Sequence, residues 1–358
     1  MMEVTIKTMN PRDQQFTMPA EWSKHERTFI SWPIQSSMCY PEQYSEVCAA
    51  YAEIITAMAE FEPVTVLVNA ADEATVREQL AGEHPYGVDL LVVEHNDAWL
   101  RDNGPTFVTS PDGKLAGVNW GFNAWGGKYS PWDLDDAVAP QVIKHVGAIQ
   151  FDAPLVMEGG SIHTDGEGTL LTTEECLLNI NRNPELSREQ IFEVLKQYVN
   201  IDQVIWLERG LSGDETDGHV DNIACFAAPG KVILQMCYDP ADENYEITHR
   251  NLEILKQSVD AKGRKLEVIE IEQPPARFYE GERLTLSYLN FYFVNDGIIL
   301  PVFGEDASAT DQKAIDVLAA TFPDRRIRTV NGMGVISEGG NVHCTTQQLP
   351  AVAKKIRS

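Results

Sequence analysis

The sequence predicts an α/β fold in which five similar units follow one another within a single domain. Three observations support this prediction. β-Branched or aromatic runs alternate with helical stretches five times, no Pro/Ser/Gly-rich segment separates the units, and a segment of seven residues near the middle of the chain returns near its end. Consecutive mixed strand and helix units without a linker favour a ring over an open sheet. We therefore expect one domain over residues 1–358, with units at about 27–97, 105–157, 160–210, 222–285 and 286–337.

Each unit carries its own helix and turn signals. The first helix begins near Pro41 and has an alanine-rich body. In the second unit two strands flank the turn at 111–113. The third unit has a helix capped by Ser187 with Gln190 three residues later, the fourth has two strands before a long helical stretch, and the fifth repeats this order around Asn295. The predicted strands are 27–32, 64–68, 106–108, 115–120, 148–151, 169–173, 203–207, 223–226, 232–236, 266–271, 290–294, 297–301 and 327–330, and the predicted helices are 41–60, 134–145, the one that follows Ser187, 242–259 and 308–321.

Composition places the chain among globular proteins and limits its partners. Hydrophobic residues make up 43% and aromatic residues 9%, which is enough for a sizeable core. The 54 acidic and 28 basic side chains give a net charge of −26, which argues against nucleic acid or an anionic membrane and favours a cationic small molecule. The 6 cysteines form no C-x-x-C pair, the first thirty residues do not resemble a signal sequence, and no apolar run approaches the roughly 18 residues of a membrane span. We expect a cytoplasmic protein with reduced thiols.

The repeated segment is Glu158-Gly-Gly-Ser-Ile-His-Thr164, which returns as Glu338-Gly-Gly-Asn-Val-His-Cys344. A Gly pair lets the backbone turn sharply and approach another segment, so the shared part indicates geometry. The unshared thiol indicates chemistry, because the other copy adopts the same local sequence with a threonine. A buried structural cysteine is the simpler interpretation of an isolated Cys, but the repeat favours Cys344 as a nucleophile.

Carboxylates, glycines and histidines concentrate where the units join, and a ring would gather these junctions at its centre. His219 and Asp221 form a His-x-Asp pair whose side chains share a face if the segment is extended. Asp102 precedes Asn-Gly-Pro and is placed at a turn. Glu158 precedes the Gly pair, as Glu338 does in the other copy, and follows a strand-like run, so it either serves only the turn or accepts a ring proton from His219. The sequence predicts one acidic pocket that contains a thiol and an imidazole.

Several carboxylates around a thiol disfavour acyl transfer, which develops negative charge, and favour a cationic substrate. Two carboxylates can bind a planar guanidinium bidentately, while Cys344 attacks its carbon and His219 protonates departing ammonia. Asp97 remains open in role: it caps the backbone, binds another group of the substrate, or pairs with Arg101.

These motifs resemble the guanidine-modifying superfamily and, within it, the agmatine deiminase family, along nearly the whole chain. The resemblance implies a five-bladed α/β propeller (pentein) of ββαβ units, and hydrolysis of agmatine to N-carbamoylputrescine and ammonia through a Cys-linked thiouronium without metal or organic cofactor. Rings of this family are often dimers, so a homodimer is also expected. The motifs are Met18-Pro-Ala-Glu-Trp22, Asn96-Asp-Ala-Trp-Leu-Arg-Asp-Asn-Gly-Pro105, Asn119-Trp-Gly-Phe-Asn-Ala-Trp-Gly-Gly127, Glu158-Gly-Gly-Ser161, Thr216-Asp-Gly-His-Val-Asp-Asn222 and Gly339-Gly-Asn-Val-His-Cys344.

The resemblance also implies roles for individual residues. One departure from the family pattern is Glu338, where Gly is expected before the second Gly pair. By similarity, the nucleophile is Cys344, the general acid and base is His219, the carboxylates around the guanidinium are Asp102, Asp221 and Glu158, the residue towards the far amine is Glu215, and the pocket walls are Trp99 and Trp120.

Other functions remain open on sequence alone. Free arginine or peptidyl-arginine are alternative substrates within the same superfamily. A Cys-His-Asp amide hydrolase and a polyamine-binding protein without turnover are further classes. A metal-binding module would use His163, His219, His343, Cys344 and Asp221.

Overall fold

The computed structural model describes residues 10–352, so the first nine and last six residues of the predicted domain lie outside the described residues. The strands are β1 (His25–Ser31), β2 (Val64–Val68), β3 (Val88–Val92), β4 (Thr106–Thr109), β5 (Leu115–Gly121), β6 (Ile149–Val156), β7 (His163–Thr164), β8 (Thr169–Thr173), β9 (Gln203–Leu207), β10 (Ala224–Ala228), β11 (Lys231–Met236), β12 (Glu267–Glu272), β13 (Phe278–Tyr279), β14 (Glu282–Arg283), β15 (Tyr292–Val294), β16 (Gly297–Val302), β17 (Arg326–Asn331) and β18 (Thr346–Pro350).

Helical segments separate these strands. The α-helices are α1 (Tyr44–Met58), α2 (Glu73–Gln79), α3 (Leu100–Asn103), α4 (Ala124–Gly127), α5 (Asp133–Asp136), α6 (Val138–His145), α7 (Glu174–Leu177), α8 (Arg188–Val199), α9 (Asn244–Gln257), α10 (Ser308–Thr321), α11 (Met333–Ile336) and α12 (Val342–Thr345). Short 3₁₀ turns lie at Arg12–Gln14, Pro41–Gln43, Gly159–Ser161, Val220–Asn222 and Glu305–Ala307. Within residues 10–352, no helix combines the length and the apolar character that a bilayer crossing requires.

Four sheets repeat one topology, in which an antiparallel pair is followed by a parallel strand. Their strand orders are β4-β5-β6, β7-β8-β9, β10-β11-β12 and β15-β16-β17. In each sheet the first two strands are antiparallel and the last two are parallel. The parallel crossovers contain α6, α8, α9 and α10 respectively, as parallel strands require. These ββαβ units confirm the α/β class with mixed sheets.

Besides the short two-stranded sheet β13-β14, a fifth large sheet, β18-β1-β2-β3, joins the two ends of the described chain. β18 pairs antiparallel with β1, with Phe29 opposite Gln347, and β1 pairs in parallel with β2. The first unit therefore has the same topology as the others once β18 is included. The sequence predicted this unit without β18 and without β3, whose residues are half-exposed.

The helix of each unit also lies against the sheet of the preceding unit. α8 contacts β6, α9 contacts β9, and α10 contacts β12. Val138 and Val142 of α6 pack with Phe29 and Leu67 of the first sheet. α1 contacts β17 of the last sheet. The contacts thus run from unit to unit and return from the fifth unit to the first.

Most predicted elements match the structure, and one helix is divided. The helix predicted over 134–145 is divided into two segments, α5 and α6. Pro140 lies in the first turn of α6, where N–H groups have no intrahelical acceptor, so a residue without an N–H breaks no hydrogen bond there. The predicted cap of α8 is confirmed: Ser187 Oγ accepts from the N–H of Gln190, and the Gln190 side chain accepts from the N–H of Ser187.

Candidate active site

Four single-turn segments meet at the centre of the candidate site. α3 contacts both α12 and the turn Gly159–Ser161, and that turn contacts Val220–Asn222. These segments carry Asp102 and Cys344 on α3 and α12, Gly160 on the first turn and Asp221 on the second. Side chains from separate parts of the chain are thereby placed within hydrogen-bonding distance of one another.

Cys344 is buried, with 4% of its surface exposed. Its Sγ accepts a hydrogen bond from Asn290 Nδ2 at 3.0 Å, and its S–H donates to Asp221 Oδ2 at 3.5 Å. Burial raises the pKa of the thiol well above its ordinary value, and the negative charges of Asp221 and Asp102 raise it further. The thiol is therefore neutral in the unliganded protein.

Asp102, His219 and Asp221 surround the α-carbon of Gly160. Asp102 Oδ2 accepts from Trp125 Nε1 at 2.9 Å, and Asp102 Oδ1 accepts from the N–H of Gly160 at 3.1 Å. A Cβ atom on Gly160 would lie 2.7 Å from His219 Nδ1, 2.8 Å from Asp221 Oδ2 and 2.9 Å from Asp102 Oδ1. Any residue larger than glycine at this position would therefore displace at least one of these three side chains.

Each ring nitrogen of His219 faces a carboxylate. Nε2 lies 3.4 Å from Glu158 Oε2, and Nδ1 lies 3.7 Å from Asp102 Oδ1. Burial alone would lower the pKa of His219, but Asp102 and the other groups around the ring raise it well above its ordinary value. Burial would raise the pKa of Glu158, but His219 and the buried Arg182, whose Nε lies 2.6 Å from Glu158 Oε1, lower it. These surroundings favour the imidazolium form of His219 beside an anionic Glu158.

The local geometry corrects two expectations about these residues. His219 and Asp221 do not share the face of an extended segment: His219 precedes the 3₁₀ turn Val220–Asn222, and the turn directs both side chains to Gly160. Arg101 does not pair with Asp97. Its Nη1 lies 3.4 Å from Glu21 Oε1.

Asp97 instead caps the backbone and lines the cavity beside Cys344. One of its carboxylate oxygens accepts from the N–H of Ala98 at 2.7 Å. Burial raises the pKa of Asp97 to about 7.

The cavity beside Cys344 is narrow, with a volume of about 40 Å³. Trp99 and Trp125 are two of its walls, and Glu215 lies on its lining and accepts a hydrogen bond from the Tyr129 hydroxyl. The structure brings Cys344, Asp102, Asp97, Glu215 and Trp99 to this lining, and it places Asp221, His219 and Glu158 directly behind it.

Trp120 does not line this cavity, which corrects its expected role as a wall. Its indole is buried in an apolar cluster, its Nε1 donates to Thr106 Oγ1 at 2.9 Å, and its ring lies 6.0 Å from that of Tyr198. Trp125, from the same sequence motif, is the wall instead. Its backbone has a φ of 53°, a left-handed conformation that the sequence does not signal for a tryptophan.

Sequence reasoning missed several residues around the site. Asn290 contacts the Cys344 thiol, and Arg182 holds Glu158. Asn290 lies at a junction between units, which is where the other candidates were found. Arg182 carries no comparable signal, because a lone arginine in a loop is usually a surface residue.

The two copies of the repeated segment use their glutamates differently. Glu158 is fully buried behind the cavity. Glu338 accepts hydrogen bonds from the N–H groups of Cys39 at 2.7 Å and Tyr40 at 3.3 Å. The departure at Glu338 therefore ties the segment over 33–40, whose residues up to Cys39 contribute to the cavity lining, to the loop that carries Cys344.

The ligand set of the metal-binding alternative is not assembled. Among residues 10–352, the group of three potential ligands with mutually close donor atoms is Glu158, Cys176 and His219, within 4.8 Å. Neither Cys344 nor Asp221 belongs to this group. Arg182 already neutralises Glu158, so this arrangement does not favour an additional cation.

The chain matches the family model of Porphyromonas-type peptidyl-arginine deiminases over residues 17–350. A Legionella pneumophila protein is 47% identical over 351 residues, covering 97% of this chain and 98% of its own. The agmatine deiminase of Pseudomonas putida is 42% identical and covers 98% of this chain and 100% of its own. The structure is also similar to that of the agmatine deiminase of Enterococcus faecalis, with a TM-score of 0.90 at 36% identity, covering 97% of this chain and 99% of that one.

Proposed function

The chain belongs to the Porphyromonas-type peptidyl-arginine deiminase family, and from this membership we propose that it hydrolyses agmatine to N-carbamoylputrescine and ammonia. The reaction class is that of a C–N hydrolase acting on a linear amidine. Relatives and solved structures named as agmatine deiminases cover nearly all of both chains, which supports this substrate over the alternatives in the same family.

The observation that carries the proposal is a buried carboxylate oxygen without a partner. Asp221 Oδ1 makes no hydrogen bond within the described residues. Such atoms are costly to bury unless a ligand satisfies them. A guanidinium offers planar N–H donors to Asp221 and Asp102, while its carbon faces Cys344.

The positive charge of the substrate favours ionisation of the Cys344 thiol. The Cys344 thiol has a raised pKa because it is buried beside Asp221 and Asp102. A guanidinium between these carboxylates would offset their charge and lower the pKa of the thiol. The nucleophile is thus formed when the substrate is bound, and the proton of the thiol is released to water.

Hydrolysis then proceeds in two halves. The Cys344 thiolate forms a C–S bond to the guanidinium carbon, one C–N bond breaks, and His219 donates its proton to the departing ammonia. Neutral His219 next takes a proton from water, whose oxygen attacks the thiouronium carbon. The C–S bond breaks and leaves a substituted urea, and the thiol recovers its proton. Glu158 and Asp102 stabilise the charged form of His219 in both halves.

The rest of the cavity suits a short aliphatic amine. Trp99 and Trp125 offer apolar surface to the methylene chain, and the Glu215 carboxylate offers a partner to the far ammonium. Asp97 adds a second carboxyl on the lining. A carboxylate at the position of the far ammonium suits a free amine better than a peptide backbone, which favours agmatine over peptidyl-arginine.

For the whole molecule we propose a five-bladed α/β propeller. The matching topology of the five sheets and the return of contacts from the last unit to the first support it. A cytoplasmic location and a homodimer remain predictions.

The test is ammonia release from agmatine, arginine and a peptidyl-arginine by the wild type and by Cys344→Ser. We expect turnover of agmatine at least about tenfold above the other two, and none by the variant, since a hydroxyl is a much weaker nucleophile than a thiolate. The matched control is Cys237→Ser, at a buried thiol outside the cavity, which should retain turnover. Equal rates on the peptide would contradict the substrate, and an active Cys344→Ser would contradict the mechanism.

A further inference from the structure

His343, the residue before the nucleophile, bridges two buried carboxylates. Its Nδ1 lies 2.9 Å from Asp221 Oδ2, and its Nε2 lies 2.9 Å and 3.0 Å from the two carboxylate oxygens of Glu21. All three side chains are buried. The chemical steps above use neither His343 nor Glu21, although Asp221 contacts the thiol.

The corresponding histidine of the other repeat, His163, is held differently. Its Nδ1 accepts a hydrogen bond from the N–H of Phe226 at 3.2 Å, so this nitrogen carries no proton. Its Nε2 lies 3.6 Å from Glu21 Oε2, where a proton can point to the carboxylate. His163 therefore has one ring nitrogen that accepts a hydrogen bond and one that faces a single carboxylate. His343 faces acceptors on both sides, and only a ring protonated at both nitrogens satisfies them.

The surrounding charges agree with a protonated His343. The charged groups that face it are Glu21, Asp221 and Arg101, whose Nε donates to the backbone carbonyl of His343 at 3.3 Å. Burial and Arg101 lower the pKa of His343, but the two carboxylates outweigh them and raise it above its ordinary value. Burial would raise the pKa of Glu21, but His343, Arg101 and His163 lower it well below its ordinary value.

We propose that His343 is a positioning residue which, as a permanent imidazolium anchored by Glu21, fixes the orientation of the Asp221 carboxylate for deimination. It binds Asp221 through Oδ2, the oxygen that also receives the Cys344 S–H, and it leaves Oδ1 free. Rotation of the carboxylate would break the contact with His343, so Oδ1 keeps its place for the substrate.

The inference rests on the proposed function for its kinetic consequence, but the protonation state can be tested without substrate. In a ¹⁵N-correlated spectrum of the ring nitrogens at pH 8, the wild-type ring signal that is lost in His343→Asn should come from a histidine with both nitrogens protonated, separate from the signal of protonated His219. The ring absent in His163→Gln should show a single protonated nitrogen. A neutral ring at His343 would overturn the inference even if the enzyme is active, and this measurement stands even if agmatine is not the substrate.

The kinetic test compares His343→Gln with His343→Asn. His163→Gln is the matched control, because His163, like His343, faces Glu21 but, unlike His343, does not contact Asp221. His343→Gln should lower kcat/KM for agmatine by on the order of 100-fold, the effect of misplacing a group that orients the substrate. His343→Asn should recover part of this loss, because its amide can still donate to Asp221 from near the position of Nδ1. His163→Gln should stay within about threefold of wild type. Equal losses in His343→Gln and His163→Gln, or no recovery in His343→Asn, would assign His343 a structural role only.

Discussion

The His219 imidazolium is stabilised by negative surroundings and the Cys344 thiolate by positive ones, yet both side chains lie near the same carboxylates. Carboxylates that keep His219 protonated also raise the pKa of the Cys344 thiol. Asp102 lies close to both groups: its Oδ1 is 3.7 Å from His219 Nδ1, and its side chain lines the same cavity as Cys344. A cationic substrate resolves this conflict, and a neutral substrate would not.

Trp125 tests whether the orientation of Asp102 matters for turnover. Trp125→Phe keeps the apolar wall but removes the donor to Asp102 Oδ2. A hydrogen bond to a charged group contributes about 1.5–3 kcal/mol, so kcat/KM for agmatine should fall by roughly tenfold to a hundredfold. The control is Trp120→Phe, which removes a donor to Thr106 in the core and should lower Tm without a comparable loss of turnover. An equal loss of turnover in both variants would show that Trp125 does not act through Asp102.

The pH dependence of turnover should report Asp102. Burial raises the pKa of Asp102 to about 6, so this carboxyl becomes neutral below about pH 6 and loses its attraction for a guanidinium. We expect kcat/KM for agmatine to fall about tenfold per pH unit below that value. A raised carboxyl pKa means that Asp102 contributes stability at low pH which is lost as pH rises through about 6.

Activity and stability should therefore respond to pH in opposite directions between about pH 4 and 6 at this residue. The difference in unfolding free energy between the wild type and Asp102→Asn, measured across that range, isolates the contribution from other carboxyls such as Asp97. A kcat/KM profile that stays flat to pH 5 would contradict the assignment.

At the residue scale, the sequence located side chains that the structure brings together where composition changes at unit junctions, and it misplaced a side chain where a backbone conformation decides. Cys344, Asp102 and His219 lie in Gly-rich and acidic junctions, and the structure brings them together. Trp120 and Trp125 are chemically alike in sequence. The regular strand β5 carries the first into the core, and a left-handed turn directs the second to the cavity.

At the scale of elements, similar sequences fold into different local structures. In the first copy of the repeat, Thr164 pairs with Leu170 in a β-ladder. In the second copy, Asn341 caps the turn α12, because its side chain accepts from the N–H of Val342. The sequence predicted shared geometry for both copies. Both copies contain the glycine pair. Whether the residues after it form a strand or a helical turn depends on the Asn341 cap and on the presence of a strand to pair with.

Gly160 should be intolerant of any side chain. Gly160→Ala would place a methyl group within 3 Å of polar atoms of Asp102, His219 and Asp221. All three belong to the proposed machinery, so we expect agmatine turnover to fall by at least about 100-fold. Far-UV circular dichroism should change little, since Gly160 does not have a positive φ. The matched control is Gly82→Ala, where a Cβ atom meets nothing within 4 Å, and near-wild-type activity in Gly160→Ala would contradict the geometry.

At the scale of the whole molecule, the sequence predicted the α/β class with its mixed strand and helix units, but not the strand that completes the first sheet. The strand β18 was not predicted, because Thr346-Gln-Gln-Leu-Pro350 is rich in polar residues although all five are buried. Its pairing with β1 depends on a partner more than 300 residues away in sequence. Local patterns do not report such pairings, which is why the predicted first unit was incomplete.

Leu349 tests whether this closure makes the molecule one cooperative unit. Its side chain is buried on β18 in a cluster with Phe29 of β1 and Phe107 of β4, so it joins the end of the chain to the first two units. Leu349→Ala should cost about 2–5 kcal/mol, the usual range for a buried leucine. If contacts between neighbouring units and β18 close the ring, calorimetry should show one transition that moves to lower temperature without dividing. The control is Ile180→Ala, at a side chain that is 79% exposed, which should leave Tm unchanged. Two separate transitions in Leu349→Ala would instead indicate that the units unfold independently, and the proposed closed ring would then be wrong.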